Sequence, residues 1–338
     1  MTRETLTKLA ERQSLGFDES AAFIDAVAAG DVTDSQIAAF LTGLRTKGET
    51  VEELAGCVSA LLRHAVKVPH TQVNVFDCCG TGGDGANTFN VSSAAALVIA
   101  SCGVPTAKHG NRAVSSACGS ADVFEALGAR IDITPEHSAR LLDQIGFCFL
   151  FAPLYHPATK RVAQVRRELG FRTIFNLMGP LLNPAGATQQ VIGTSSSENA
   201  SLLASVAAHV PGLNVISYTN SLGVDELLPR GINTIHQWNG SGIFREEIAL
   251  PVRLNNGFQL NAIKGGDREA NAVLLCNAIS GTVSEYRTVT ALNAAFGLLT
   301  VGKAVTLDEG YQLAISAMKS GATARLLDSY IAGSREAL

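Results

Sequence analysis

Charge and aromaticity are both scarce in this 338-residue chain: 17% of residues are charged, 6% are aromatic, and tryptophan occurs once. Basic residues are outnumbered, 26 against 30 acidic ones, for a formal net charge of −4. A general nucleic-acid binder shows a basic excess, so no nucleic-acid partner is expected. No apolar run is long enough to span a bilayer, and the opening MTRETLTKLAERQSLG lacks the apolar core of a secretory signal. A soluble cytoplasmic protein with no membrane partner is expected. The seven cysteines include no C-x-x-C pair, and the seven histidines no H-x-x-x-H pair. Odd number and scattered spacing argue against a disulfide framework or a structural zinc site. Cys102, Cys148 and Cys276 lie in apolar runs and are expected to be buried as small hydrophobes. What the chain has in quantity is apolar residues, 46%, and glycine, 32. That mixture suits helices packed closely on a sheet.

Residues 1 to about 70 read as helical throughout. The segment 18–30 carries apolar residues on neighbouring turns and stops at Gly30. Thr33 or Asp34 caps a helix over 33–48, with Ile37, Phe40, Leu41 and Leu44 on one face. Thr50 and Glu53 form a capping box at the head of 50–68, and Pro69 is expected to end that helix. Beyond Pro69 strands alternate with helices. Strands are expected at 73–77, 104–108, 129–133, 147–153, 190–195 and 214–220, and helices at 92–103, 122–128, from Thr134-Pro135, after 195 and at 289–302. This alternation predicts a parallel sheet covered by helices, with ligands at the carboxyl ends of the strands. The basic segment 156–184, bent at Gly179-Pro180 and Asn183-Pro184, interrupts it and is expected to return to the helical part as a lid or hinge.

The loop Gly80-Thr81-Gly82-Gly83-Asp84-Gly85 matches G-x-G-x-x-G, yet it is not a dinucleotide turn. In that motif the helix starts inside the glycines, whereas here the first credible start is Ser92. Where an acid should meet a ribose hydroxyl the chain offers Lys108, His109 and Arg112. Ala86-Asn87 after Gly85 also exclude a P-loop. Four glycines in six residues let peptide N–H groups converge on an anion. Thr81, Asn90, Ser92 and Ser93 add polar partners beside a helix N-terminus. A second loop, residues 108–116, adds Lys108, Arg112 and two serines. Two such loops after neighbouring strands suggest a ligand with more than one phosphate.

The stretches GTGGDGANTFNVSSA, AKHGNRAVSSACGSADVFEALG, YHPATKRVAQVRRELGFRTIFNLMGPLLNPA, GVDEL and GGDREANA resemble the motifs of the anthranilate phosphoribosyltransferases. The resemblance covers nearly the whole chain. It implies an α/β fold with a small N-terminal helical domain on a larger parallel-sheet domain, of the nucleoside-phosphorylase-like kind. Residues 1–70, with about 160–183, would form the helical domain, and 71–159 with 184–338 the α/β domain. The resemblance further implies a homodimer that joins anthranilate to phosphoribosyl pyrophosphate, the second step of tryptophan biosynthesis from chorismate.

Such a transfer moves a ribosyl carbon from pyrophosphate to an aromatic amine and needs no nucleophilic side chain. By the resemblance, Gly80, Gly83, Asp84, Thr88, Asn90, Val91, Ser92 and Ser93 line the pyrophosphate side. Lys108, His109, Gly110, Asn111, Arg112, Ala113, Val114, Ser115, Ser116 and Ser120 complete the phosphoribosyl pyrophosphate site, with Lys108 as the charge partner of its phosphates. Arg166 would meet the anthranilate carboxylate, with Gly80, Asn111, His109 and His156 around the acceptor. Mg²⁺ prefers oxygen ligands, and Asp225-Glu226, following a strand in a solvent-reachable loop, fits it. Ser92 would add a further contact. Two rivals remain at this stage: a pyrimidine nucleoside phosphorylase on the same fold, and a nucleic-acid-binding relative.

Overall fold

The computed structural model describes residues 2–113, 117–250, 254 and 257–336. Local chemistry starts the first helices, α1 (Thr2–Ala10), α2 (Phe17–Ala29), α3 (Asp34–Lys47) and α4 (Val51–His64). The Thr33 hydroxyl accepts from Gln36 N while Gln36 Oε1 accepts from Thr33 N, and Thr50 and Glu53 repeat the arrangement on α4. Each such cap stabilises a helix by about 1 kcal/mol. Gly30, at φ 82°, ends α2. α4 stops at His64, short of Pro69. Beyond it Val66 N donates to Tyr155 O and Val68 N to Pro184 O, so the chain leaves the helix for tertiary bonds.

There follow β1 (Phe76–Gly80), α5 (Val91–Ser101), β2 (Thr106–Gly110), α6 (Ser120–Ala126), α7 (Pro135–Ile145) and β3 (Phe147–Phe151). Then come α8 (Ala152–Tyr155), α9 (Lys160–Leu169), α10 (Phe175–Met178), β4 (Gln189–Thr194), α11 (Ser197–Val206) and β5 (Asn214–Asn220). β6 (Asn233–Trp238), β7 (Ile243–Glu247), α12 (Arg268–Ile279), α13 (Glu285–Thr300), α14 (Leu307–Lys319) and α15 (Ala322–Arg335) complete the described chain.

The sheet runs β3-β2-β1-β4-β5-β6-β7. Its first five strands are parallel, as expected, but β6 and β7 are antiparallel additions that the sequence pattern did not signal. The first strand sits at Phe76–Gly80 rather than 73–77. The expected strand at 129–133 does not form. Ala129, Ile131 and Ile133 are buried in alternation, which imitates a strand, but the segment is tied to helices: Ala129 N donates to Phe124 O on α6 and Arg130 N to Ser334 Oγ on α15. Cys148 is buried, whereas Cys102 is half-buried and Cys276 exposed, so the apolar runs around the last two mislead.

Two apolar cores flank the sheet. One surrounds α5, whose Ala94 to Ile99 stretch is buried on every side, together with α13 and the C-terminal helices. The other joins α1–α4 to Val162, Val165, Phe175, Met178 and Leu182, and reaches Ile192 and Val215 on the sheet. Among the described residues no helix is long and apolar enough to cross a membrane. The strand order reverses between β1 and β4, because the chain leaves β1 towards β2 and β3 before returning. Loops diverge at such a point and leave a crevice beyond the strand ends.

Candidate active site

A cleft of about 1090 Å³ opens in that crevice. Every described residue singled out from the sequence lines it: Gly80, Gly83, Asp84, Thr88 and 90–93 after β1, 108–113 and Ser120 around β2, His156 and Arg166 from the basic segment, and Asp225 with Glu226 after β5. Val114, Ser115 and Ser116 lie outside the described residues.

The glycine loop needs its glycines. Gly82, Gly83 and Gly85 adopt φ of 64°, 68° and 78°, a region that L side chains avoid. Thr81 N donates to Gly193 O at 3.0 Å and Gly82 N to Asp225 Oδ2 at 2.7 Å. The loop is therefore tied to the strand and turn beside it. It hands over to α5, whose first turn carries Ser92 and Ser93 at the positive end of the helix dipole. Thr81 Oγ1, Asn90 Oδ1 and Ser93 Oγ are buried there without a protein partner. Buried polar atoms are rarely left unpaired, so a polar ligand suits this end of the cleft.

Lys108 is 1% exposed, and its Nζ donates to Cys78 O at 2.8 Å and to Ser92 Oγ at 3.2 Å. Its charge thus stands behind Ser92 at the foot of α5. Beneath it, Asp77 is buried and accepts from Asn183 Nδ2 at 2.8 Å. Burial pushes the Asp77 carboxyl up to about 6, against the opposing pull of the Lys108 charge. Arg112 lines the cleft but is engaged by neighbouring side chains. Its guanidinium pairs with Asp122 and Glu125 on α6 and lies over the Phe151 ring.

At the other end, the rings of His109 and His156 meet edge to face at 5.2 Å. Burial lowers His109 to about 3, helped by His156, and burial lowers His156 to about 4. Both are neutral at pH 7. Arg166 is half-buried, donates to Asn176 Oδ1 at 3.3 Å and lies over Phe175 at 5.5 Å. Burial lowers its pKa below the ordinary guanidinium range, and an arginine keeps its charge in proteins. A cation beside neutral aromatic rings is suited to an aromatic carboxylate.

Asp225 and Glu226 are more enclosed than expected, 9% and 8% exposed, although both line the cleft. Asp84 joins them, and ligand oxygens of the three carboxylates lie within 4.8 Å of one another. Thr88 Oγ1 donates to Glu226 Oε1 at 2.5 Å. Burial, then the Asp84 charge, push Asp225 up to about 6; burial and the Asp225 charge push Glu226 well above the usual carboxylate range. Three crowded carboxylates, of which Asp225 and Glu226 are held back from ionisation by burial and neighbouring charge, fit a hard divalent cation.

Arg172 escaped the sequence reading altogether. It lies in the turn between α9 and α10, and its Nη1 donates to both Gly82 O at 2.8 Å and Gly83 O at 2.9 Å. No motif distinguishes it from the other arginines of a basic run. Gly193 was missed for a similar reason, since a glycine inside a strand pattern reads as ordinary until its neighbour is known.

Over nearly its whole length the chain is similar to known proteins. Residues 72–324 match the model of the glycosyl transferase family a/b domain, and residues 3–65 that of its helical bundle domain. An anthranilate phosphoribosyltransferase of Rhodopseudomonas palustris is 43% identical, with 97% of this chain and 96% of that protein covered. The crystal structure of the Thermus thermophilus anthranilate phosphoribosyltransferase superposes with a TM-score of 0.90 at 37% identity, covering 98% of this chain and 99% of that one. The Saccharomyces cerevisiae enzyme, in complex with PRPP and Mg, gives 0.87 at 26% identity, over 98% and 97% of the two chains. By sequence over its full length and by fold, this chain belongs to the anthranilate phosphoribosyltransferase family.

Proposed function

We propose that this protein transfers the phosphoribosyl group of phosphoribosyl pyrophosphate to anthranilate, giving N-(5-phosphoribosyl)anthranilate and pyrophosphate, in tryptophan biosynthesis. The observation that carries this reading is the polarity of the cleft. An anion-binding loop with the Lys108–Ser92 pair stands at one end, and Arg166 with two neutral histidine rings at the other. A phosphorylase would need no cation for an acceptor carboxylate. The glycine loop and the α5 N-terminus bind and orient the pyrophosphate, while Arg166 and Asn111 orient the amine. Cys78, raised to about 12 by burial, stays a thiol at pH 7 and supplies no nucleophile. Catalysis is therefore positioning and electrostatic stabilisation of an oxocarbenium-like transition state. Asp225 and Glu226, with Asp84 and Ser92, would hold Mg²⁺, which when bound would supply positive charge against the departing pyrophosphate. Loss of anthranilate fluorescence that requires both phosphoribosyl pyrophosphate and Mg²⁺ tests the reading; consumption without either, or none with both, overturns it.

The cation at the acceptor end makes a sharper case. Arg166→Ala is expected to raise the anthranilate KM about thirtyfold, the equivalent of one charge-assisted bond of about 2 kcal/mol. The KM for phosphoribosyl pyrophosphate should stay unchanged. An unaltered anthranilate KM removes Arg166 from the acceptor site.

The proposal extends to organisation. The helical unit comprises 1–70 with about 160–183, and 71–159 with 184–338 form the catalytic unit. Helices α1–α4 contribute no residue to the chemistry, so their outer faces serve subunit contact. Sedimentation at micromolar concentration should give the mass of a homodimer; a monomer there contradicts this part.

A further inference from the structure

We infer that Arg172 is a positioning residue that aims the glycine loop at pyrophosphate. The inference rests on reading the cleft as a phosphoribosyl pyrophosphate site. The Arg172 guanidinium reaches from the turn between α9 and α10 onto the loop after β1, and one nitrogen serves the carbonyls of Gly82 and Gly83 at 2.8 and 2.9 Å. No peptide bond here is cis. Across a trans peptide the carbonyl and the following N–H point opposite ways. Holding these two carbonyls therefore turns the N–H groups of Gly83 and Asp84 away from the arginine. Among the described residues neither N–H finds a protein acceptor, although both residues line the cleft. A cation on the carbonyl side also polarises both peptides, which strengthens them as donors to an anion.

The loop is built to receive this side chain. A Cβ on Gly83 would overlap the Arg172 guanidinium, so a glycine is required for the approach as well as for the backbone angle. On the other side Gly82 N donates to Asp225 Oδ2 at 2.7 Å. Gly82 is thus gripped at its N–H by the acidic cluster and at its C=O by Arg172. The same basic segment carries Arg166, so one stretch of chain both receives the acceptor and sets the phosphate loop.

The test is calorimetric titration of phosphoribosyl pyrophosphate with Mg²⁺, without anthranilate, into the parent, Arg172→Met and Arg172→Lys proteins. Methionine keeps the apolar stem but donates nothing. Lysine places one nitrogen with several protons where a single nitrogen already serves both carbonyls. Arg172→Met is expected to bind about tenfold more weakly, and Arg172→Lys to stay within about threefold of the parent. Melting temperatures should agree within about 2 °C, because the side chain is half-buried at a loop. The anthranilate KM should not move, which a general loosening of the fold would not respect. Parent-like binding by Arg172→Met, or equal weakening in both variants, overturns the inference. Failure of the parent itself to bind overturns the reading of the cleft, and the inference with it.

Discussion

Replacing Asp225 by asparagine together with Glu226 by glutamine is expected to lower kcat on the order of a hundredfold and yet raise the melting temperature in metal-free buffer. The two effects share one cause. Three carboxylates, of which Asp225 and Glu226 are buried, are held together, and a bound cation would relieve their repulsion. For Asp225 the folded-state pKa is raised to about 6 from 3.8. A carboxyl raised in this way costs nothing below its unfolded pKa. The penalty grows as pH rises through the interval up to about 6 and is complete at pH 7, where it amounts to about 3 kcal/mol. Glu226 adds a penalty in the same direction. Amides abolish both while keeping oxygen acceptors for Gly82 N and the Thr88 hydroxyl. The gain should therefore amount to several degrees at pH 7 in EDTA and shrink towards pH 4. Magnesium should stabilise the parent protein more than the double variant. A Mg²⁺ titration at saturating phosphoribosyl pyrophosphate should show weaker apparent affinity and a lower maximal rate. Superimposable titrations with equal maxima would remove the pair from metal binding, and a lower melting temperature at pH 7 would refute the repulsion.

Gly193→Ala should be the most damaging single methyl group in the molecule. Gly193 lies on β4 directly beside Gly80 in the parallel register. A Cβ there would overlap the main-chain carbonyl of Asp225 and come within 2.9 Å of the Tyr218 ring. Its φ is not in the left-handed region, so the effect is purely one of space. A side chain can swing aside, but a peptide carbonyl moves only with its turn. Relief requires the 225–226 turn to leave β4, which shifts both carboxylates and frees Gly82 N from Asp225 Oδ2. Overpacking of this kind costs about 3 kcal/mol, and activity should fall with it. Activity per folded molecule separates the two losses: it should drop at least tenfold even where the variant is fully folded, since the carboxylates proposed to hold the metal move by the width of a methyl group. A variant that melts and turns over like the parent would show that the turn yields freely.

What the chain reveals by itself is whatever its near neighbours close. The caps at Thr33 and Thr50 are completed by residues three positions on, as is the Thr134 cap at the head of α7. Gly30 ends α2 through its own backbone angle. The strand over 214–220 and the glycine loop are likewise local, and so is the family resemblance that rests on such stretches. Alternation alone misled at 129–133, because burial every second residue says nothing about whether a strand lies alongside. The features that make a site are of another kind. Arg172 meets the glycine loop across 89 and 90 positions, and the Asp84 carboxylate accepts from Asp225 N across 141. Gly193 is critical only because Asp225 passes over it. The Gly193 contact depends on β4 lying beside β1, an adjacency created when the chain returns from β3 to the opposite side of β1. No local periodicity encodes that return, because it is settled by which apolar faces bury each other once all the strands are present.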